Sequence, residues 1–247
     1  MKDKMKRYLK MAALLLLAAC DEGDIAENDY KVNDTGRTVK LTARVEGLST
    51  WETQNSHVAL AAFATTSQYA IMQKAIPSGT RDGDMVELVV SNISSEVNTI
   101  ELAVTNSLRK RIVTLETLRM SDYEGYGPRD TIRMELGTLD LSRFGCLQYG
   151  VFDKACIQCH GGNGRSAGNL NLTQGLAYAN LVDMASTQKE GAWRVKSGNA
   201  DESLVCQILD EGGENLLNYN HTEVLSSLFK ENLQEVKSLI RDWINGI

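Results

Sequence analysis

The sequence predicts a multidomain protein in which an all-β sandwich precedes an all-α domain. Between about Thr38 and Leu141, apolar and polar residues alternate, which is the pattern of half-buried strands. From Arg143 onward, apolar residues recur at steps of three and four, which is the pattern of helices that bury one face. The boundary is therefore predicted between residues 37–142 and residues 143–247.

The first 20 residues are typical of an exported protein. Five basic residues precede and flank the apolar run at 11–19. This run is shorter than the roughly 20 residues of a transmembrane helix, but it suits the apolar part of a signal peptide. It ends in Leu17-Ala-Ala-Cys20, and small residues before a cysteine resemble a bacterial lipoprotein signal. We expect residues 1–19 to be removed and Cys20 to be lipidated, with ordinary cleavage beside an incidental cysteine as the alternative.

An acidic, flexible tether is expected at 20–36, between the lipid anchor and the first domain. The whole chain has 26 basic and 32 acidic residues. Without the leader's five basic residues and Asp3, the balance is 21 to 31, a net charge of −10. This acidity argues against a nucleic-acid partner. The acidic stretch after Cys20 also resembles export signals of surface lipoproteins in Bacteroidetes-type bacteria, which implies the outer membrane, on its periplasmic face or at the cell surface.

Seven short segments of the first domain carry a strand pattern, and turn-like stretches such as 77–83 and 125–128 separate them. The segments are 39–45, 58–63, 70–75, 85–90, 99–104, 111–115 and 131–136. Short strands at this spacing favour an antiparallel sandwich of the immunoglobulin-like type. No catalytic constellation accompanies them, and the lone His57 is expected to be structural. We expect this domain to act as a spacer or a docking module.

Four helices are predicted in the second domain. They run from residue 143 into a cysteine pair, over 174–185, over 202–209, and along the apolar stripe at 229–247. The last helix is predicted from a capping box of Asn232 with Glu235 and from a stop at Gly246. Such short helices bury little core by themselves, so the domain is expected to need a cross-link or a large prosthetic group.

The stretch Cys156-Ile-Gln-Cys159-His160 gathers two of five cysteines and one of three histidines. This spacing is the attachment signature of c-type haem. Two thiols can reach the two vinyl groups on one porphyrin edge, while the adjacent histidine lies beneath the iron. Glycines at 161, 162 and 164 let the chain leave tightly past the ring.

Three other interpretations of the cysteine pair remain open. A thioredoxin-like redox pair would need a βαβ pattern, which is not found around it. A structural zinc site could be built from Cys156, Cys159, Cys206 and His221. A plain disulfide across a two-residue gap would be a poor structural cross-link.

Residues 145–247 resemble the cytochrome c domains of planctomycete and Bacteroidetes lipoproteins. The segments that carry this resemblance are CIQCHGG at 156–162, LNLT at 170–173, RVKSGNADESLV at 194–205 and VKSLIRDWING at 236–246. The resemblance implies an all-α cytochrome c-like haem domain with one covalent haem c and a role in electron transfer. It does not extend to the β domain.

The sixth iron ligand departs from that family's pattern. Members often carry a Met-Pro ahead of the last helix, whereas residues 212–225 contain neither and contain His221 instead. We therefore expect His160 as proximal and His221 as distal ligand, and a comparatively low reduction potential, because a bis-histidine iron lacks the thioether that raises it. The alternative is a surface His221 above a five-coordinate or Met184-ligated iron.

Two cysteines, Cys146 and Cys206, remain after lipidation and haem attachment. An even remainder in an exported protein suggests a disulfide, and two buried thiols are the alternative. Arg165, Arg194 and Lys196 are candidate partners of the haem propionates, with surface solvation as the alternative.

Together these patterns predict a membrane-anchored c-type cytochrome of the cell envelope that carries electrons to a redox partner that the sequence does not identify. It is not expected to be an enzyme. If His221 is not a ligand, an open iron position would suit a haem peroxidase or a gas sensor. A third hypothesis is a surface lipoprotein binding module with a structural zinc or a non-redox haem site.

Overall fold

The computed structural model describes residues 36–51, 56–162 and 166–247. The expected leader, the expected lipidated Cys20 and all of the tether except Gly36 lie outside the described residues, as does Arg165. Within the described residues, no helix is long and apolar enough to cross a membrane.

Seven strands lie in the segments where alternation predicted them, and they form a sandwich of two sheets. They are β1 (Arg37–Glu46), β2 (Ser56–Phe63), β3 (Met72–Ala75), β4 (Met85–Ile93), β5 (Thr99–Asn106), β6 (Arg111–Arg119) and β7 (Thr131–Asp140). The three-stranded sheet has the order β4-β1-β7, and the four-stranded sheet has the order β3-β2-β5-β6.

The pairing departs from the fully antiparallel sandwich that was expected. Strands β1 and β7 run parallel, with Val39 opposite Ile132 and Leu41 opposite Met134, whereas the other neighbouring strands are antiparallel. Parallel neighbours need a long connection, and here all of β2 to β6 lies between them in the chain. Local alternation cannot reveal this, because it does not identify a strand's partner.

Among the described residues of the C-terminal part are six short α-helices and one π-helix. They are α1 (Arg143–Leu147), the π-helix (Gln148–Cys156), α2 (Ile157–His160), α3 (Ala177–Leu181), α4 (Leu204–Gln207), α5 (His221–Phe229) and α6 (Leu233–Asn245). Short 3₁₀ turns lie at Leu48–Trp51, Met120–Tyr123, Ala167–Asn169 and Gly213–Asn215.

The prediction of an all-α cytochrome c-like domain over 143–247 is wrong as a fold. The described chain is mostly β-sheet with a few short helices near its C-terminus, joined by irregular segments and isolated bridges such as Val182 to Val195. The helix predicted over 174–185 has only the five residues Ala177–Leu181. Gly175 before it and Asp183 after it both have positive φ, which no α-helix tolerates.

Such short helices are not stable alone, and the sandwich supplies the core that they lack. One hydrophobic cluster runs from Leu41 and Leu102 of the sandwich through Leu147 to Ile240. The described residues accordingly form one compact unit.

Strand β6 is the main contact of the C-terminal part with the sandwich. Gly150 of the π-helix packs so closely on β6 that an added Cβ would lie 2.7 Å from Val113 Cβ. The Lys154 ammonium donates a hydrogen bond to the Thr114 carbonyl. The Asn232 amide donates to the Ile112 carbonyl at 2.6 Å.

The predicted capping box of Asn232 with Glu235 is wrong. The Asn232 side chain makes no cap hydrogen bond to α6, because its amide binds the sandwich instead.

Candidate functional site

The helical segment 143–160 places the cysteine pair and His160 at its end. Ser142 starts it, because its Oγ accepts a hydrogen bond from the Gly145 amide at 2.9 Å. The π-helix runs nine residues to Cys156, and α2 then ends at His160. Wide π-turns in helices often occur at functional sites.

Gly161 explains why the segment stops directly after the histidine. Its backbone is extended, with φ −84° and ψ 168°. An added Cβ there would lie 2.3 Å from the Ile157 carbonyl oxygen, a distance that a side chain cannot adopt. Glycine therefore lets the chain turn back sharply beside His160, as the glycine-rich stretch suggested for this position.

A cavity of about 350 Å³ lies against this segment. Its wall is mainly apolar, with Val151, Phe152, Leu172, Leu181, Leu225 and Ile240 among its residues. Cys156, Cys159, His160 and His221 all line it. Its volume falls in the range of about 300–1,000 Å³ that is usual for cofactor and ligand pockets. The cavity thus brings together the four residues that the sequence assigned to cofactor binding.

The rings of His160 and His221 both line this cavity and lie close together. Their centroids are 6.2 Å apart and their planes differ by 14°. A metal–imidazole bond is about 2 Å long and the bonded nitrogen lies about 1 Å from its ring centre, so two imidazoles on opposite sides of one metal have centres about 6 Å apart. The 6.2 Å between the two ring centres is therefore of the size that two imidazoles on one metal would have.

In both rings Nδ1 makes the hydrogen bond, so Nε2 remains available to bind a metal. Nδ1 of His160 lies 2.9 Å from the Ala167 carbonyl oxygen. Nδ1 of His221 lies 3.1 Å from the Tyr219 carbonyl oxygen. Since a carbonyl only accepts, each Nδ1 must carry the proton, which leaves a lone pair on each Nε2. Metal-binding histidines usually have this arrangement.

Both histidines are also held in the neutral form. Burial lowers the pKa of His160, and the positive charge of Arg194 acts in the same direction. Burial likewise lowers the pKa of His221, with a smaller contribution from His160. Neutral imidazole is the form that binds metal, so the two side chains are ready to act as ligands at neutral pH.

The two cysteines of the pair lie in different surroundings. Cys159 is exposed, whereas Cys156 is partly buried. Burial, together with Cys159, raises the pKa of the Cys156 thiol to about 12. A protonated thiol is a poor metal ligand. In the described part of the chain, no group of three or more His, Cys, Asp or Glu side chains is placed to hold a metal ion.

Cys146 and Cys206 are both buried and both free, so the suggested disulfide is not formed in the structure. Burial raises the pKa of Cys206 to about 11 and also raises the pKa of Cys146. These thiols behave as small apolar core groups.

The remaining residues that the sequence singled out lie apart from the two histidine rings or have other partners. Met184 is 44% exposed and does not line the cavity. His57 lies in β2 with its Nε2 3.0 Å from the Gln73 amide nitrogen. Lys196 pairs with Glu202 at the surface. Arg194 is buried and lines the cavity, but its guanidinium binds backbone carbonyls.

Sequence reasoning missed the helix that carries His221 and the aromatic neighbour of that residue. His221 begins α5, and the Asn220 side chain caps it by accepting from the Glu223 amide at 3.1 Å. The Asn-x-x-Glu spacing was the available signal. The Tyr219 ring stands edge-on to His221 at 5.4 Å and is 55% exposed, so it connects the cavity with the surface.

Comparison with models of protein families, with curated protein sequences and with solved structures found no match to this chain.

Proposed function

We propose that this protein is a membrane-anchored c-type cytochrome with one covalent haem c, which passes single electrons within the cell envelope. One observation carries the proposal. Two imidazoles with nearly parallel planes lie 6.2 Å apart, centre to centre, in an apolar cavity that the Cys156 and Cys159 pair also lines. This proposal does not depend on an all-α cytochrome c fold, because function follows from the site rather than from the scaffold.

Each residue of the site has a distinct part in holding the cofactor. Cys156 and Cys159 would form the two thioethers, in which each S–H adds across a vinyl double bond without loss of atoms and without an oxidant. His160 follows the pair directly and would be the proximal ligand. His221, on a separate helix, would be the distal ligand and would close the site from the other side.

Bound haem supplies reversible exchange between Fe(III) and Fe(II), which is the electron-carrying step. The protein's residues set the conditions for it. His160 and His221 would hold the iron from two sides, so a substrate would have no access to it while both imidazoles stay in place. The carbonyls of Ala167 and Tyr219 keep both rings oriented, so little rearrangement would accompany a change of oxidation state. This arrangement favours a carrier over an enzyme.

The proposed location follows from the N-terminal segment. Lipid on Cys20 would anchor the chain in the outer membrane, and the acidic tether would carry the folded part away from it. Acyl chains contribute about 0.8 kcal/mol per buried CH₂, so several chains anchor a protein without a transmembrane helix. The partner would be a redox protein of the same compartment.

Haem staining of a denaturing gel, together with a visible spectrum, tests the proposal. The full chain would be produced with c-type haem maturation machinery. We expect stain at the monomer position and a six-coordinate, low-spin spectrum. The double change Cys156→Ala with Cys159→Ala should abolish the stain, whereas Cys146→Ala, which removes a buried thiol outside the cavity, should keep it. A wild-type chain without stain, or one that contains zinc instead, would refute the proposal.

A further inference from the structure

The Ala167 carbonyl, which binds His160 Nδ1, belongs to a turn whose backbone conformation is unfavourable. In the 3₁₀ turn Ala167–Asn169, Gly168 has φ +61° and Asn169 has φ +52°. Two consecutive left-handed residues are rare, and the second is not glycine. Such conformations persist only where surrounding groups hold them.

Arg194 is the group that holds this turn most extensively. Its side chain is buried, with the residue only 8% exposed. The Nη2 group donates to the carbonyls of Gly168 and Asn169, each at 3.0 Å. The Nη1 group donates to the Asn180 carbonyl at 2.9 Å, near the end of α3. One guanidinium thus joins the turn to a neighbouring helix.

Two backbone hydrogen bonds hold Arg194 itself in place. The Arg194 amide donates to the Met184 carbonyl at 2.8 Å, and its own carbonyl accepts from the Val205 amide at 3.1 Å. Thr187 provides a second hold on the turn, because its Oγ1 donates to the Gly168 carbonyl at 2.7 Å. The planar fork of arginine reaches several acceptors at once, which the single ammonium of lysine cannot do.

We propose that Arg194 is the positioning residue of the proximal ligand. By holding the carbonyls of Gly168 and Asn169, it keeps the adjacent Ala167 carbonyl where His160 Nδ1 donates to it, and so aims His160 Nε2 into the cavity. This inference rests on the proposed function. It assigns Arg194 a role distinct from that of a propionate partner, because its donors are directed at the backbone.

The test compares Arg194→Lys with Arg143→Lys in the haem-loaded full chain. Both substitutions keep the positive charge. Arg143 is a matched control, because it is equally buried at 8%, donates to the Asp242 carbonyl at 3.0 Å and does not line the cavity. The measurements are the low-spin fraction in the oxidised spectrum, the rate of carbon monoxide binding to the reduced protein, and amide hydrogen exchange at 166–172. The amides of Asn169 and Leu170, which close the turn, report on it directly.

We expect Arg194→Lys alone to lower the low-spin fraction, to speed carbon monoxide binding by about 10-fold or more, and to speed exchange at Asn169 and Leu170. Unchanged spectra and exchange in Arg194→Lys, or equal changes in Arg143→Lys, would overturn the inference. A wild-type chain without haem would instead overturn the proposed function, and amide exchange would still decide whether Arg194 holds the turn.

Discussion

His160 and His221 lie 61 positions apart in the chain, yet their ring centres are only 6.2 Å apart and their planes differ by 14°. His160 ends the short helix α2, and His221 begins α5. Each donates from Nδ1 to a backbone carbonyl. The proposal assigns both rings to one iron, and a change at His221 tests that assignment directly.

Replacing His221 with alanine should open one axial position of the iron. We expect the oxidised spectrum to change from low-spin to high-spin, and the reduced protein to bind carbon monoxide readily, because alanine has no donor atom to bind the iron. Visible and electron paramagnetic resonance spectra measure both changes. His57→Gln serves as control, since His57 lies in β2 and binds Gln73. A low-spin His221→Ala protein would show that another residue is the distal ligand.

Replacing His221 with methionine should raise the reduction potential. Thioether ligation favours reduced iron, whereas a second imidazole favours oxidised iron. A potentiometric titration followed at the visible bands compares the two proteins. The wild type should have the lower midpoint, and a wild-type midpoint equal to or above that of His221→Met would contradict bis-histidine ligation.

Replacing Asn232 with alanine should destabilise the fold through the link to β6. The change removes the amide that donates to the buried Ile112 carbonyl at 2.6 Å and to the Arg111 carbonyl at 3.4 Å. Such a loss costs about 1–3 kcal/mol, which urea unfolding can measure. Ser227→Ala is a matched control on an exposed part of the neighbouring helix, where the hydroxyl bonds only the local Val224 carbonyl. Equal effects from both changes would argue against the contact between α6 and the sandwich.

Replacing Gly150 with alanine should also destabilise the protein, although alanine favours helix more than glycine does. The new Cβ would lie 2.7 Å from Val113 Cβ, so the π-helix or β6 must shift. Overpacking of this kind costs about 1–3 kcal/mol. Gly137→Ala is the control, because an added Cβ there has no neighbour within 4 Å. A stabilised Gly150→Ala protein would show that the π-helix does not pack against β6 as described.

Alkylation under denaturing conditions without reductant should label two thiols in the haem-loaded chain. Cys146 and Cys206 are free in the structure, and the proposed lipid and thioethers account for the other three cysteines. Mass spectrometry counts the added groups. A chain that takes up label only after reduction would show that these two cysteines pair, which the structure does not show.

Much of the sandwich could be predicted from local pattern. The alternation at Val39, Leu41, Ala43 and Val45 identified β1 because one face of that strand is buried and the other is not. The central strand β5 is buried on both faces, so its run of apolar residues indicated a strand without indicating its surroundings. The parallel pairing of β1 with β7 had no local signal at all.

The C-terminal part shows where local pattern fails. A helix is predicted over 174–185, but only the five residues Ala177–Leu181 are helical, because Gly175 and Asp183 on either side have positive φ. Arg194, which could be read as a surface residue, is buried among carbonyls that only the folded chain brings together.

The sequence by itself determined the residue pattern on which the proposal rests: the Cys156 to His160 spacing, the distant His221, and an apolar segment that ends at Cys20. The tertiary structure decided where the described residues of that pattern lie. It set the β-sandwich as the core for helices too short to fold alone, and it brought His221 opposite His160. The reason is physical, since local spacing governs backbone period, whereas burial and ligand geometry arise from contacts between residues far apart in the chain.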